Sequence, residues 1–407
     1  MSDESSTLAP IDRLHHVMAG HVDRGEMPGL VTLVSRHGET QVDALGTKAV
    51  GGSEPMRRDT IFRITSMTKP ITAAATMILV EDGRLELDEP VDRLLPELAD
   101  RRVLRRPDGP LDDTVPAHRP ITVRDLLTFR MGFGLTIMLP ENTPIRKAVE
   151  VLQLVGFGPP EQSTPLSPDE WLRRLSTLPL MFQPGETWGY NTGSYVLGVL
   201  IARAAGQTLE EFLRDRLFLP LGMKDTGFSV PAPSLDRLAP CYQFDPEAGS
   251  LALIDGVADS QWSRPPTFPD GGAGLVSTVD DYLAFAQMLL HGGKHDTQQI
   301  LSPSSVELMT TDHLTPDQKA GSGFLPGYWD HRGWGFGMSI VTRPDAEEGS
   351  YRYGWDGGYG TTWFSNPKEG LIAILMTQAM AFPLMSPVYL DFWSVIDHLN
   401  APGAGCT

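Results

Sequence analysis

The sequence predicts an α+β fold: one antiparallel sheet formed by both chain termini and flanked by helices, with a mainly helical lobe inserted in the middle. Three observations lead there. β-rich runs lie near the N-terminus, β-rich runs return through the last third of the chain, and the stretch between is rich in Pro and helical patches. Strands at both ends with helices between them bring the two termini into one helix-covered sheet. The expected division is a sheet domain of residues 1–84 and 236–407 and a mainly helical domain of residues 85–235.

Residues 11–25 predict an amphipathic helix, and "GLVTLVSRHGETQVDALG" after it reads as a hairpin, two β-rich runs flanking the turn "RHGE". A helix over 66–82 follows, with Gly83 at a stop position. In the middle, "DEWLRRLSTL" and "SYVLGVLIARAA" are helical patches. "GGAGLVSTVDDYLAFAQMLLHGG" combines a Ser/Thr cap, acidic first-turn residues, an apolar stripe and a Gly stop. The last third turns to β in "WGFGMSIVTR", "SYRYGW", "GTTWFSN" and "LIAILMTQ", before a closing helix over 386–399.

Composition narrows the function classes. The 407 residues, 41% hydrophobic and 21% charged, can bury a large core. The net charge of -18 argues against nucleic acid or an anionic membrane surface as partner. It says little about a small substrate, because the local field of a pocket can oppose the global sign. "MSDESSTLAP" has neither the basic nor the apolar region of a signal peptide, and no run of about 18 apolar residues suggests a transmembrane segment. A cytoplasmic protein is the expectation. Cys241 and Cys406 are too few for a disulfide framework, and the ten histidines show no metal-ligand spacing. His15 and His16 read as a solvated helix face, and Met376, Met380 and Met385 as core filler.

Two S-x-x-K matches occur, Ser66–Lys69 and Ser365–Lys368, where a chain of this length holds roughly one by chance. In the second, Pro367 separates the pair just after a predicted strand, and nothing puts the side chains on one face. The first lies at i and i+3 at a helix start, where the two side chains are neighbours. Pro70 suits a first helical turn, because the N–H it lacks has no partner there. The helix N-terminus also offers N–H groups and positive potential to a developing oxyanion. Two readings stand: Ser66 as helix cap with Lys69 a surface charge, or Ser66 as nucleophile with Lys69 as its base. The apolar flanks of "FRITSMTKPIT" imply a buried helix start, and a buried lysine must be paired or lose its proton.

Further along, "PGETWGYNTGSYVLG" sets Tyr190 between a Pro-Gly turn and a helix from about Ser194. It reads either as a proton relay or as a core aromatic with a satisfied hydroxyl. In "YGWDGGYGTTWFSNP", Trp355-Asp356-Gly357-Gly358 opens a strand whose glycines would let a substrate approach and whose edge N–H could complete an oxyanion hole, or is a plain glycine-rich hairpin. Trp188, Trp355 and Trp363 line an acyl pocket or pack.

These residues carry a resemblance to the serine β-lactamase and penicillin-binding superfamily, in its class C branch, and within it to the family VIII carboxylesterases. Ser66-Met67-Thr68-Lys69 resembles the S-x-x-K box, and Trp188-Gly189-Tyr190 with "VLG" at 196–198 resembles the W-x-Y…V-L-G box. Trp355-Asp356-Gly357 stands where lactamases carry K-T-G and these esterases often carry W-x-G, with "ITVRDLLTF" and "GGAGLVSTVDDY" as supporting phrases. The resemblance runs from about residue 15 to 397. It implies a β-lactamase-like fold in which Ser66 is acylated, Lys69 and Tyr190 share general-base and general-acid work, and the N–H groups of Ser66 and Gly358 form the oxyanion hole. Trp188, Thr192, Trp355 and Gly357 are the implied substrate-binding positions. No metal or organic cofactor is implied.

The chain departs from the lactamase pattern twice. The Y-x-N box reads Tyr190-Asn191-Thr192, and the K-T-G box has lost its cation. Both changes favour a neutral ester over a β-lactam. The expected activity is therefore a serine carboxylesterase acting on small esters, its only expected partner a small molecule, with a homo-oligomer compatible and unspecified. An acyltransferase on the same scaffold, a β-lactamase or D-amino-peptidase-type amide hydrolase, and a non-catalytic binding protein are the alternatives. The G-x-S-x-G elbow of α/β-hydrolases is absent.

Overall fold

A computed structural model describes residues 10–134, 139–154, 166–245, 247–322, 324–341, 351–380 and 386–399. Cys406 and Met385 lie outside the described residues. Helix α1 (Pro10–Asp23) leads into the hairpin of β1 (Gly29–Arg36) and β2 (Glu39–Gly46), whose turn residues His37 and Gly38 both have positive φ, as a two-residue hairpin turn requires. The buried helix α2 (Thr68–Glu81) follows, and Gly83, at φ +68°, closes it. Helices α3 (Thr192–Ala205) and α4 (Val279–Leu290) come next. The chain then returns to the sheet through β3 (Arg332–Trp334), β4 (Ser339–Val341), β5 (Tyr353–Gly357), β6 (Thr361–Asn366) and β7 (Leu371–Thr377), and ends in α5 (Pro387–Leu399).

The seven strands form one antiparallel sheet in the order β3-β4-β5-β6-β7-β1-β2, so the first and last parts of the chain meet where β1 pairs with β7. The stretch "WGFGMSIVTR" is not one strand: β3 and β4 pair as a hairpin through it, turning at Gly337 with φ +69°.

The sheet's two-residue side-chain period feeds two cores. On β7, Leu371, Ala373 and Leu375 pack with Val388, Phe392 and Ile396 of α5 and with Leu14 and Met18 of α1. Ile372, Ile374 and Met376 face the main core, with Val31 and Leu33 of β1, Ile71 of α2 and Phe285 of α4. Both faces of β7 are buried, which explains its unbroken apolar run. Trp363 belongs to this packing, ringed by Tyr282, Phe285 and Tyr353.

Candidate active site

Thr65–Met67 form a single 3₁₀ turn, and the α-helix proper begins at Thr68, two residues later than a start at the serine. Lys69 and Pro70 still fall in the first turn. From Thr60 to Leu79 every residue is buried except Ser66, so this long apolar segment opens to solvent at its serine alone. Thr65, immediately before it, sits at φ +41°, a costly conformation for a β-branched residue, about 1–3 kcal/mol of stored strain.

Distant segments hold that turn in place. The extended residues Phe62–Arg63 pair with Val276–Ser277, and Ile64 N–H binds the Leu275 carbonyl at 3.1 Å. Tyr282 donates to the Met67 carbonyl at 2.9 Å. The phrase "GGAGLVSTVDDY" is thus a scaffold for the serine as well as the start of α4, whose first turn is capped by Thr278. On the other flank, β5 lies against the turn at Gly357. A Cβ there would stand 2.5 Å from the Ile64 carbonyl and 2.7 Å from Thr65 Oγ1, so the missing side chain makes room for the protein's own backbone. Gly358, next in the chain, has open space around it.

Tyr190 arrives through a second brace. Thr122 and Asp125 form a reciprocal cap on the short helix Val123–Leu127, and the chain beyond it presents the Phe129 carbonyl to Gly189 N–H at 2.7 Å. That is the role of "ITVRDLLTF". Asn191, just after Tyr190, has φ +84°, so a left-handed residue adjoins each of the two hydroxyls.

The three side chains converge. Lys69 Nζ lies 2.9 Å from Ser66 Oγ and donates to the Gly272 carbonyl at 2.7 Å. The Tyr190 hydroxyl lies 3.0 Å from Ser66 Oγ and accepts from Trp355 Nε1 at 3.0 Å. Lys69 Nζ also stands 4.7 Å from the centre of the Tyr190 ring. Burial lowers the Lys69 pKa to about 7, against the opposing pull of Asp270, and the same burial raises Tyr190 well above the ordinary phenol range. The second S-x-x-K pair forms no such site. Ser365 Oγ accepts from Trp363 Nε1 at 3.0 Å, and Lys368 is exposed beyond the end of β6.

Trp188 is buried among aromatic rings, about 5.0 to 5.2 Å by centroids from Phe324, Trp329 and Trp334. Thr192 is buried at the start of α3, its N–H on the Tyr190 carbonyl. Asp356 turns to the opposite sheet face from Trp355, accepting from Thr362 Oγ1 at 2.7 Å and from the Tyr389 hydroxyl at 3.2 Å. Sequence reasoning missed Asp270, buried beside Lys69, and the Gly272 carbonyl; neither carries a local pattern that marks it.

Among the described residues no helix is long and apolar enough to cross a membrane. A Mycobacterium tuberculosis protein, Rv1367c, is 40% identical over 365 residues, covering 88% of this chain and 87% of its own. Esterase EstB of Burkholderia gladioli is 30% identical over 398 residues, covering 92% of each. The solved structure of EstCE1, described as a hydrolase with promiscuous acyltransferase activity, superposes with a TM-score of 0.77 at 26% identity, over 95% of this chain and 98% of that one. Residues 14–386 match the β-lactamase family, nearly the whole chain, and with this fold and this serine–lysine–tyrosine geometry the chain belongs to that family, beside its esterase and acyltransferase members.

Proposed function

We propose that the protein is a serine hydrolase that cleaves small carboxylic esters through an acyl-enzyme on Ser66. The observation that carries this reading is the one accessible hydroxyl in a buried segment, within 2.9 and 3.0 Å of an amine and a phenol.

The pKa shifts divide the proton work. A lysine brought to about 7 is substantially neutral at physiological pH and can accept the Ser66 proton as Oγ attacks the ester carbonyl. A phenol held above its ordinary range stays protonated, which makes Tyr190 the donor to the departing alkoxide. The Lys69 ammonium, which stands beside the Tyr190 ring, then returns its proton to the phenolate, leaving both groups neutral. The N–H groups of Ser66 and Gly358 receive the developing oxyanion, and water then attacks the acyl-enzyme with the roles reversed. Esters fit better than β-lactams, because β5 offers the indole of Trp355 where a lactam carboxylate would need a cation, and Asp356 points away. The aromatic surroundings of Trp188 and Trp355 suit an apolar acyl or alcohol group.

The test is hydrolysis of p-nitrophenyl esters from acetate to dodecanoate, with nitrocefin alongside, by wild type and Ser66→Ala. Turnover of short esters that falls by at least about 10³-fold in the variant, with little nitrocefin cleavage, is the expected result. Activity that survives Ser66→Ala overturns the assignment. The acyltransferase named for the EstCE1 structure makes transfer the second reading, and product formed with an added alcohol at the expense of free acid would favour it.

A further inference from the structure

We propose that Asp270 is a positioning residue for this site: one buried carboxylate ties the segment that holds Lys69 to the segment that carries Tyr190, and supplies the negative charge against which the Lys69 amine holds its proton. The proposal rests on the reading of Ser66 as nucleophile.

Hydrogen bonds run from the carboxylate to the amine, and close packing runs from the carboxylate to the tyrosine segment. Asp270 Oδ1 accepts from Gly272 N–H at 2.6 Å, and the carbonyl of that same Gly272 accepts from Lys69 Nζ at 2.7 Å. One residue thus transmits the position of the carboxylate to the amine. In the other direction, Asp270 Oδ1 and the Tyr195 ring flank the same space at Gly272, and the Tyr195 hydroxyl, on the first turn of α3, accepts from Asn191 Nδ2 at 3.2 Å. Asn191 directly follows Tyr190 and carries the strained φ of +84°, so the hydrogen bond helps hold a conformation the backbone disfavours. Asp270, Asn191 and Tyr195 all come within 3.4 Å of the space a Cβ on Gly272 would fill. Asp270 itself is 6% exposed.

A buried carboxylate is a costly clamp, since an asparagine oxygen would accept the same Gly272 N–H without the desolvation of a charge. What the acid adds is electrostatic. Burial alone pushes Lys69 down, and the charge of Asp270 pulls it back toward the protonated form. Burial also raises Asp270 to about 6, while the N–H groups of Gly272 and Ala273, Lys69 and Tyr195 favour its ionised form. The other titratable groups around Lys69 are Tyr190, Tyr195 and Tyr282, all shifted upward by burial and uncharged near neutrality. Asp356 and Tyr328 act on Tyr190 from beyond it.

The experiment is the pH dependence of Ser66 labelling by a fluorophosphonate, read by intact mass from pH 5 to 9. It needs a nucleophilic serine and no particular ester. In wild type the rate rises with pH as Lys69 loses its proton. Asp270→Asn keeps the acceptor and removes the charge, so the acidic limb should move down by about one pH unit. At pH 7, where Asp270 is largely ionised in wild type, that makes the variant label up to about twofold faster than wild type. Asp270→Glu should return the limb toward wild type. A limb that does not move in Asp270→Asn, whatever the absolute rate, overturns the proposal while leaving the nucleophile intact. If Asp270→Asn does not fold, Tyr195→Phe, which removes a hydroxyl that favours the ionised carboxylate, must shift the limb the same way by a smaller amount; an unshifted limb there also overturns it. Wild type that never labels at Ser66 removes the reading on which the proposal stands.

Discussion

Lys69, buried, and Tyr190, partly buried, reach the same Ser66 oxygen at 2.9 and 3.0 Å. Desolvation penalises whichever form of a group is charged, so it lowers the ammonium's pKa and raises the phenol's. The base and the acid are thus distinguished by their own chemistry. The pH profile follows from the sign: the active form has Lys69 neutral, and the neutral fraction grows as pH rises toward and past about 7. Below that point kcat/KM for a p-nitrophenyl ester should climb roughly tenfold per pH unit, then level off above it. A rate that is highest below pH 6 and falls as pH rises would exclude Lys69 as the base.

At the scale of elements, the site depends on how closely β5 approaches the turn that holds Ser66. A Cβ at Gly357 would stand 2.1 Å from Thr361 Oγ1 and 2.5 Å from the Ile64 carbonyl, and the backbone on that side has little room to yield. Gly357→Ala should therefore cost about 1–3 kcal/mol by overpacking. Because the strain falls between β5 and the serine turn, activity should fall along with the melting temperature. Gly358→Ala is the matched control: nothing lies within 4 Å of its new methyl group, and its backbone N–H is retained. Its melting temperature should match wild type. Equal melting temperatures for the two variants would mean that β5 does not bear on the turn as described.

Over the whole molecule, the segment before the serine is anchored to a distant part of the chain by charge. Arg63 forms an ion pair with Asp255, both side chains almost wholly buried, and Arg63 also donates to the Ala239 carbonyl and Ser260 Oγ. Removing one partner strands the other in a low-dielectric setting, so Asp255→Ala should destabilise by about 3–5 kcal/mol. Asp59→Ala, which breaks the exposed Arg57–Asp59 pair, should cost less than about 1 kcal/mol. Thermal melts of the two variants check this, and similar losses would mean that the Arg63 pair is not buried in solution.

Much of this was written locally. The i, i+3 spacing of Ser66 and Lys69, Pro70 in the first turn, the Thr278 cap and the His37-Gly38 turn are short-range signals. Side-chain period and backbone preference act over a few residues, and the terminal β runs added the sheet's closure. The remainder joins residues far apart in the chain. Tyr190 meets Ser66 across 124 positions, Trp355 meets Tyr190 across 165, and Lys69 meets the Gly272 carbonyl across 203. Asp270 and that carbonyl had no pattern to announce them, because an isolated acid or a backbone oxygen acquires its chemistry only from what folding buries beside it. The apolar flanks of Lys69 pointed to its burial, but whether it is paired or made a base was settled only by packing, which takes the water away and leaves Asp270 as the opposing charge.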